Sequence, residues 1–129
     1  MELALEDSRL SPGDIGQINA HGTSTELNDL AEADAIQKVF GSPGPPVTST
    51  KGITGHVLGG AGAVEAVAVV LSIEHELIPP TAGHEQPDPQ ITLDIVSGGP
   101  RPWEPAPTLS NSFGFGGHNG CLVISPVSS

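Results

Sequence analysis

Leu3, Leu5 and Leu10 alternate with Glu2, Glu6 and Asp7 at the start of the chain, a pattern that predicts a short amphipathic helix. Ser11-Pro12-Gly13 is a turn that a helix does not cross. Ile15 to Ala20 reads as a strand ending at His21-Gly22. Thr23-x-x-Glu26 then has the form of a capping box opening a helix to about Phe40, with Asp29 and Glu32 early and Lys38 late. Leu30, Ala33, Ile36 and Phe40 give that helix an apolar face, and Gly41 closes it. Val47 to Ser49 is a second strand, Thr50 to His56 a polar, glycine-rich turn, and Val57 to Ile73 a nearly continuous apolar stretch that predicts a buried helix. Leu93 to Val96, Thr108 to Phe113 and Cys121 to Ile124 are further strands, the last two separated by the loop Gly114 to Gly120. Ser42 to Pro46 and Pro79 to Pro89 are proline-rich loops. The order strand, tight loop, helix occurs twice, which predicts an α/β layered domain with a mixed sheet.

Composition changes this picture in three ways. Leu, Ile, Val and Phe make up about a quarter of the 129 residues, enough for a folded core in one domain spanning 1–129. Seventeen glycines and 13 prolines imply many positions with special backbone geometry. Four basic against 15 acidic residues give a net charge of −11, which argues against nucleic acid or an anionic membrane surface as a partner. The apolar stretch is short for a membrane span and carries Glu65 near its middle, so no span is expected. Residues 1–10 lack a signal-peptide pattern, and the single cysteine, Cys121, excludes an internal disulfide; a cytoplasmic location is expected.

Each strand-to-loop transition carries a histidine: His21 after the first strand, His56 before the apolar helix and His118 in the last glycine-rich loop. Loop histidines at strand ends are placed for chemistry, the alternative being that each only hydrogen-bonds its own loop. His75 and His84 read as solvated or loop residues. Lys51 is one of two lysines, and Glu65 stands in an apolar helix where an unpaired carboxylate would be costly, so a Lys51–Glu65 pair is expected. Other templates fail. Thr50-Lys51-Gly52 reverses the order of a phosphate-binding loop, Gly60-Ala-Gly62 lacks the third glycine of a dinucleotide fingerprint, and there is no zinc-ligand spacing or Gly-x-Ser-x-Gly elbow.

Four segments, in this order, carry a resemblance: Asn19-Ala-His-Gly-Thr-Ser-Thr25, Ser49-Thr-Lys-Gly-Ile-Thr-Gly-His56, Gly59-Gly-Ala-Gly-Ala-Val-Glu65 and Asn111-Ser-Phe-Gly-Phe-Gly-Gly-His-Asn119. Together they resemble the C-terminal part of β-ketoacyl-acyl-carrier-protein synthase II and related polyketide ketosynthases, across essentially the whole chain. The resemblance implies the C-terminal half of a thiolase-like fold, and a chain that is a fragment lacking the N-terminal half. It implies an acyltransferase of fatty acid biosynthesis that performs a decarboxylative Claisen condensation of an acyl thioester with malonyl-acyl carrier protein. Through it, His21 and His56 correspond to the catalytic histidines, Lys51 to the active-site lysine, Glu65 to its acidic partner, Thr23 and Thr25 to pantetheine contacts, and Phe115 to the gate that also serves the oxyanion hole. Asn19, Glu65, Ser110 and Asn111 match positions that hold a monovalent cation in some members. It implies acyl carrier protein as partner, a homodimer for the full-length enzyme, and no cofactor of its own, since phosphopantetheine arrives on the carrier.

The departures bear on activity. The family's nucleophilic cysteine is missing: Cys121 opens the last strand, where an inert core thiol is expected, so the chain alone is predicted inactive. Glu26 to Asn28 replaces a Pro-x-Gly often found before Asp29, and His118, where many members have Thr, is assigned no role. The apolar Gly-Ala-Val helix is expected to show an unprotected face in so short a chain. The other readings are a polyketide ketosynthase fragment, a chain-length-factor-like partner, which would not need both histidines, and an acidic carrier-binding module, which its own charge opposes.

Overall fold

The structure, a computed structural model, describes residues 1–127. Helix α1 (Glu2–Ser8) ends at Arg9 in the left-handed conformation, and a 3₁₀ turn at Pro12–Asp14 leads into strand β1 (Gln17–Asn19). Helix α2 (Glu26–Phe40) follows, then β2 (Val47–Thr48), the single helical turn α3 (Lys51–Thr54), a 3₁₀ turn at Leu58–Gly60 and helix α4 (Ala61–His75). Strands β3 (Leu77–Ile78) and β4 (Arg101–Pro102) form a small antiparallel ribbon, and β5 (Thr108–Phe113) and β6 (Asn119–Ile124) close the chain's sheet.

The main sheet runs β2-β1-β5-β6, with β1 parallel to β2 and β5, and β5 antiparallel to β6. It is the mixed sheet that the two strand-loop-helix passages imply. On one face, Leu5 of α1 and Ile36 of α2 pack with Ile15, Ile18, Ala20, Val47 and Leu109 into the apolar core. α4 packs chiefly against β5 and uses a different logic: its buried positions are Ala61, Glu65, Val69 and Ser72, one stripe at helical spacing. Ser72 Oγ donates to the Leu77 carbonyl and lies 3.0 Å from the Gln17 side-chain amide, tying the helix to β3 and β1.

Several sequence expectations need correction. The buried apolar helix is half right: the sheet-facing stripe of α4 carries its polar residues, while Val64, Val67, Val70 and Leu71 are exposed. Together with the preceding turn, residues 58–75 form a helical stretch long and apolar enough by length and composition to cross a membrane, with Glu65 buried inside it. The capping box at Thr23 is absent; the N-cap is Thr25, and the Thr23 and Thr25 hydroxyls lie 3.0 Å from each other instead. Leu93 to Val96 contributes one parallel bridge, Val47 to Ile95, made by the Val47 N–H on the Asp94 carbonyl and the Val96 N–H on the Val47 carbonyl. The predicted turn at Thr50 to His56 contains α3, and β6 begins at Asn119, two residues before the expected start.

Candidate active site

In a parallel sheet the carboxyl ends of the strands share one edge, and the loops leaving that edge converge. Here β1 delivers His21, β2 delivers Lys51 through α3, and β5 delivers Phe113 and then Phe115. The turn after β1 is shaped by Gly22, at φ +42°, where a Cβ would lie 2.7 Å from the Ser49 side chain. α3 can pack against the 79–89 loop only because residue 52 is glycine: a Cβ there would meet the Ala82 carbonyl oxygen at 2.3 Å.

The rings of His21 and His56 lie edge to face, with centroids 5.3 Å apart, and His21 also lies 5.6 Å from the Phe113 ring. His21 is buried and His56 exposed. His56 Nδ1 accepts the Leu58 N–H at 3.3 Å, so in the neutral ring the proton sits on Nε2, which is left free to donate. Burial, then the Lys51 charge, then His56 hold the His21 imidazole below its ordinary value, which favours the neutral ring at neutral pH. Lys51 Nζ donates to Glu65 Oε1, both side chains being buried, and this is the pairing that the burial argument requires. A cleft of about 560 Å³ opens beside these groups, lined by Gly22, Thr23, Lys51, His56 and Thr81 and floored by apolar residues including Ile36 and Leu93.

Thr23 lies on the cleft, while Thr25 is exposed at the start of α2. Phe115 is fully exposed at the tip of a turn whose Gly116 and Gly117 have positive φ, and the Gly114 N–H closes that turn on the His118 carbonyl at 2.8 Å. The four cation candidates divide. Asn19 Nδ2 donates to Ser110 Oγ at 3.1 Å, but the Asn111 amide turns the other way, to Glu32, and Glu65 turns one oxygen to Lys51. Asn19 Oδ1 and Glu65 Oε2 remain buried with no hydrogen-bond partner among the described residues. Cys121 is half-buried, its Sγ 3.3 Å from Asn111 Oδ1, and burial pushes its thiol up, away from the reactive thiolate.

One residue was not singled out by the sequence. Glu32 is buried, and its carboxylate accepts the N–H groups of His21 at 2.8 Å and Gly22 at 2.9 Å and the Asn111 Nδ2 at 3.0 Å. Burial raises its carboxyl, and these three donors oppose that. The signal was its place beside Ala33 and four residues before Ile36, on the buried stripe of α2.

The sheet edge thus brings together two histidines and an ion-paired lysine beside one cleft, while Phe115 stands exposed on the glycine-rich turn and does not line that cleft. Residues 1–85 match the model of the β-ketoacyl synthase C-terminal domain, and the chain belongs to that family. It is 51% identical over 123 residues to a 3-oxoacyl-[acyl-carrier-protein] synthase 2 from Synechocystis, covering 94% of this chain and 30% of that protein. It is 47% identical over 129 residues to a protein of the same name from Coxiella burnetii, covering 98% of this chain and 31% of that protein. The fold superimposes on a β-ketoacyl synthase from Burkholderia phymatum with a TM-score of 0.95 at 38% identity, over 99% of this chain and 31% of that one. It also superimposes on an ishigamide ketosynthase/chain length factor structure with a TM-score of 0.96 at 37% identity, over 98% of this chain and 32% of that one. The chain thus spans about 30% of the length of the curated relatives it matches.

Proposed function

We propose that this chain is the C-terminal catalytic segment of a condensing synthase that extends acyl thioesters with malonyl-acyl carrier protein in fatty acid synthesis. His21 and His56 donate hydrogen bonds to the malonyl thioester oxygen; carbon dioxide leaves, and the electron pair of the broken bond is held as an enolate on that oxygen. The enolate carbon then attacks the acyl thioester formed on a cysteine from the rest of the protein, and the thiolate leaves. The observation that carries this reading is the His21–His56 pair at the strand-end edge, one ring neutral by its surroundings and the other with its Nε2 free to donate. Burial favours the neutral His21 ring, and the Lys51 charge, held in place by Glu65, adds to that effect.

Thr23 and Thr25 contact the pantetheine arm in this reading, and Phe115 swings on Gly116 and Gly117 to admit it. The buried, unpartnered oxygens of Asn19, which is bonded to Ser110, and of Glu65 are of the type that a monovalent cation would satisfy, whereas the Asn111 amide is already hydrogen-bonded to Glu32 and Cys121. No cofactor is needed beyond the pantetheine carried by acyl carrier protein, the partner in this reading, with a homodimeric, cytoplasmic full-length enzyme. Alone, the chain is inactive, since Cys121 has neither the exposure nor the depressed pKa of an acylated nucleophile.

A polyketide ketosynthase segment is the second reading, favoured by the similarity to the ishigamide structure and to a polyketide ketosynthase solved with its acyl-carrier protein, at a TM-score of 0.94. Both readings keep the two histidines. The test is to graft residues 1–129 in place of the matched segment of the Synechocystis relative and follow carbon dioxide release from malonyl-acyl carrier protein. Decarboxylation by the graft, lost in His56→Ala, is the expected result; a graft that folds and acylates its cysteine but never decarboxylates malonyl-acyl carrier protein would overturn the reading.

A further inference from the structure

In a parallel ladder, alternate residues of a strand donate to and accept from one neighbour in an even series. On its outer side, Val47 of β2 donates its N–H to the Asp94 carbonyl and accepts the Val96 N–H, so the next rung would carry the Ser49 N–H to the Val96 carbonyl. Thr81 stands in its place. Its N–H takes the Val96 carbonyl at 2.8 Å, and its Oγ1 accepts the Ser49 N–H at 3.1 Å. One residue back, Thr48 Oγ1 donates to the Pro79 carbonyl at 2.6 Å, so the 79–81 segment is stitched to β2 twice. Ser49 also reaches the turn after β1, where its Oγ donates to the Gly22 carbonyl at 3.0 Å.

We propose that Ser49 is a positioning residue that sets the width of the cleft, tied through its side chain to the Gly22–Thr23 wall and through its main chain to the Thr81–Gly83 wall. Ser49 is 8% exposed and lines the cleft together with both walls. A Cβ on residue 22 would lie 2.7 Å from Ser49 Cβ and Oγ, so the Gly22 wall has no room to move inward, while the hydrogen bond opposes its moving outward. The hydroxyl has one proton, and it goes to Gly22; Thr81 holds the amide of the same residue, so a shift of one wall is felt by the other. A slot fixed on both sides suits a thin, extended ligand with amides along it, the chemistry of the pantetheine arm. Fixing the walls orders the arm on binding and leaves the reacting carbon to the histidines, so loss of the clamp belongs in KM. The clamp stands on its hydrogen bonds; its service to the arm rests on the condensing-enzyme reading.

The test has two arms. In the full 129-residue chain labelled with nitrogen-15, the Ser49 amide is expected to exchange slowly although it lies past the end of β2. Thr81→Val keeps the side-chain shape and removes the acceptor, and should speed that exchange about 10-fold while the Ile18 amide in β1 holds. A fast Ser49 amide in the unaltered chain, or an unmoved one in folded Thr81→Val, would overturn the clamp. In the Synechocystis graft, decarboxylation of malonyl-pantetheine is compared with that of malonyl-N-acetylcysteamine, which keeps only the first amide of the arm. Ser49→Ala is expected to lower the preference for the longer thioester, as a ratio of kcat/KM values, by about 10-fold, the worth of one hydrogen bond, with the loss in KM. Equal losses on both thioesters, a loss in kcat alone, or an unchanged ratio contradicts the proposal. If the Ser49→Ala graft does not fold, Ser49→Cys, close in size and a weaker donor, is read in the same way. A graft whose His56→Ala variant still decarboxylates refutes the functional reading, whereas the amide exchange judges the clamp separately.

Discussion

Removing the Glu65 carboxylate would leave the Lys51 ammonium buried with no partner. Breaking a buried pair from one side costs about 3–5 kcal/mol, so Glu65→Ala should lower the urea midpoint sharply, while Lys51→Met with Glu65→Leu should recover most of the loss. A Glu65→Ala chain as stable as the parent would contradict the pairing. His21 supplies a pH signature. Its folded pKa lies below the ordinary value of 6.5, so the unfolded chain binds the proton first, and the associated stability is whole above about pH 6.5 and lost as pH falls toward the folded value. The fall in urea midpoint between pH 7 and pH 5 should therefore be smaller in His21→Gln than in the parent. The Lys51–Glu65 pair was legible in the sequence because a charge inside an apolar helix demands a partner. Glu32 was not, because on α2 it sits among Glu26, Asp29 and Asp34 and looks like one more solvated acid.

Among elements, the long ones were read well and the short ones poorly. α2 stops at Phe40 as expected, although it starts later than the Thr23 cap implied, and β5 has both expected ends, because a capable C-cap at Gly41 and a run bounded by Pro107 and Gly114 mark them in the sequence. α3 is one turn long, and β3 and β4 have two residues each, so none carries a periodicity to detect; they exist because the neighbouring loop and ribbon fit them. The tight seat of α3 makes a prediction of its own. Gly52→Ala should destabilise the chain by about 1–3 kcal/mol, because the added Cβ meets the Ala82 carbonyl and the backbone has to move. In the graft it should also lower activity by displacing Lys51. A Gly52→Ala chain with unaltered stability would contradict the packing of α3 on the 79–89 loop.

At the scale of the whole molecule, α4 faces the sheet with Glu65 and Ser72 and faces outward with Val64, Val67, Val70 and Leu71. An apolar face of that kind on a chain of net charge −11 predicts binding of a hydrophobic dye and concentration-dependent association. Val67→Lys should reduce both without lowering the urea midpoint, as Val67 is exposed. The site was legible as four ordered motifs; that they would meet at one sheet edge followed from the parallel strands, and the edge-to-face contact of two rings belongs to the fold alone. The most direct measurement of the central claim is carbon dioxide release from malonyl-acyl carrier protein by the Synechocystis graft, compared among the parent graft, His21→Ala and His56→Ala. The account predicts release by the parent, its loss in both variants, and continued acylation of the nucleophilic cysteine. Undiminished release in both variants would contradict it.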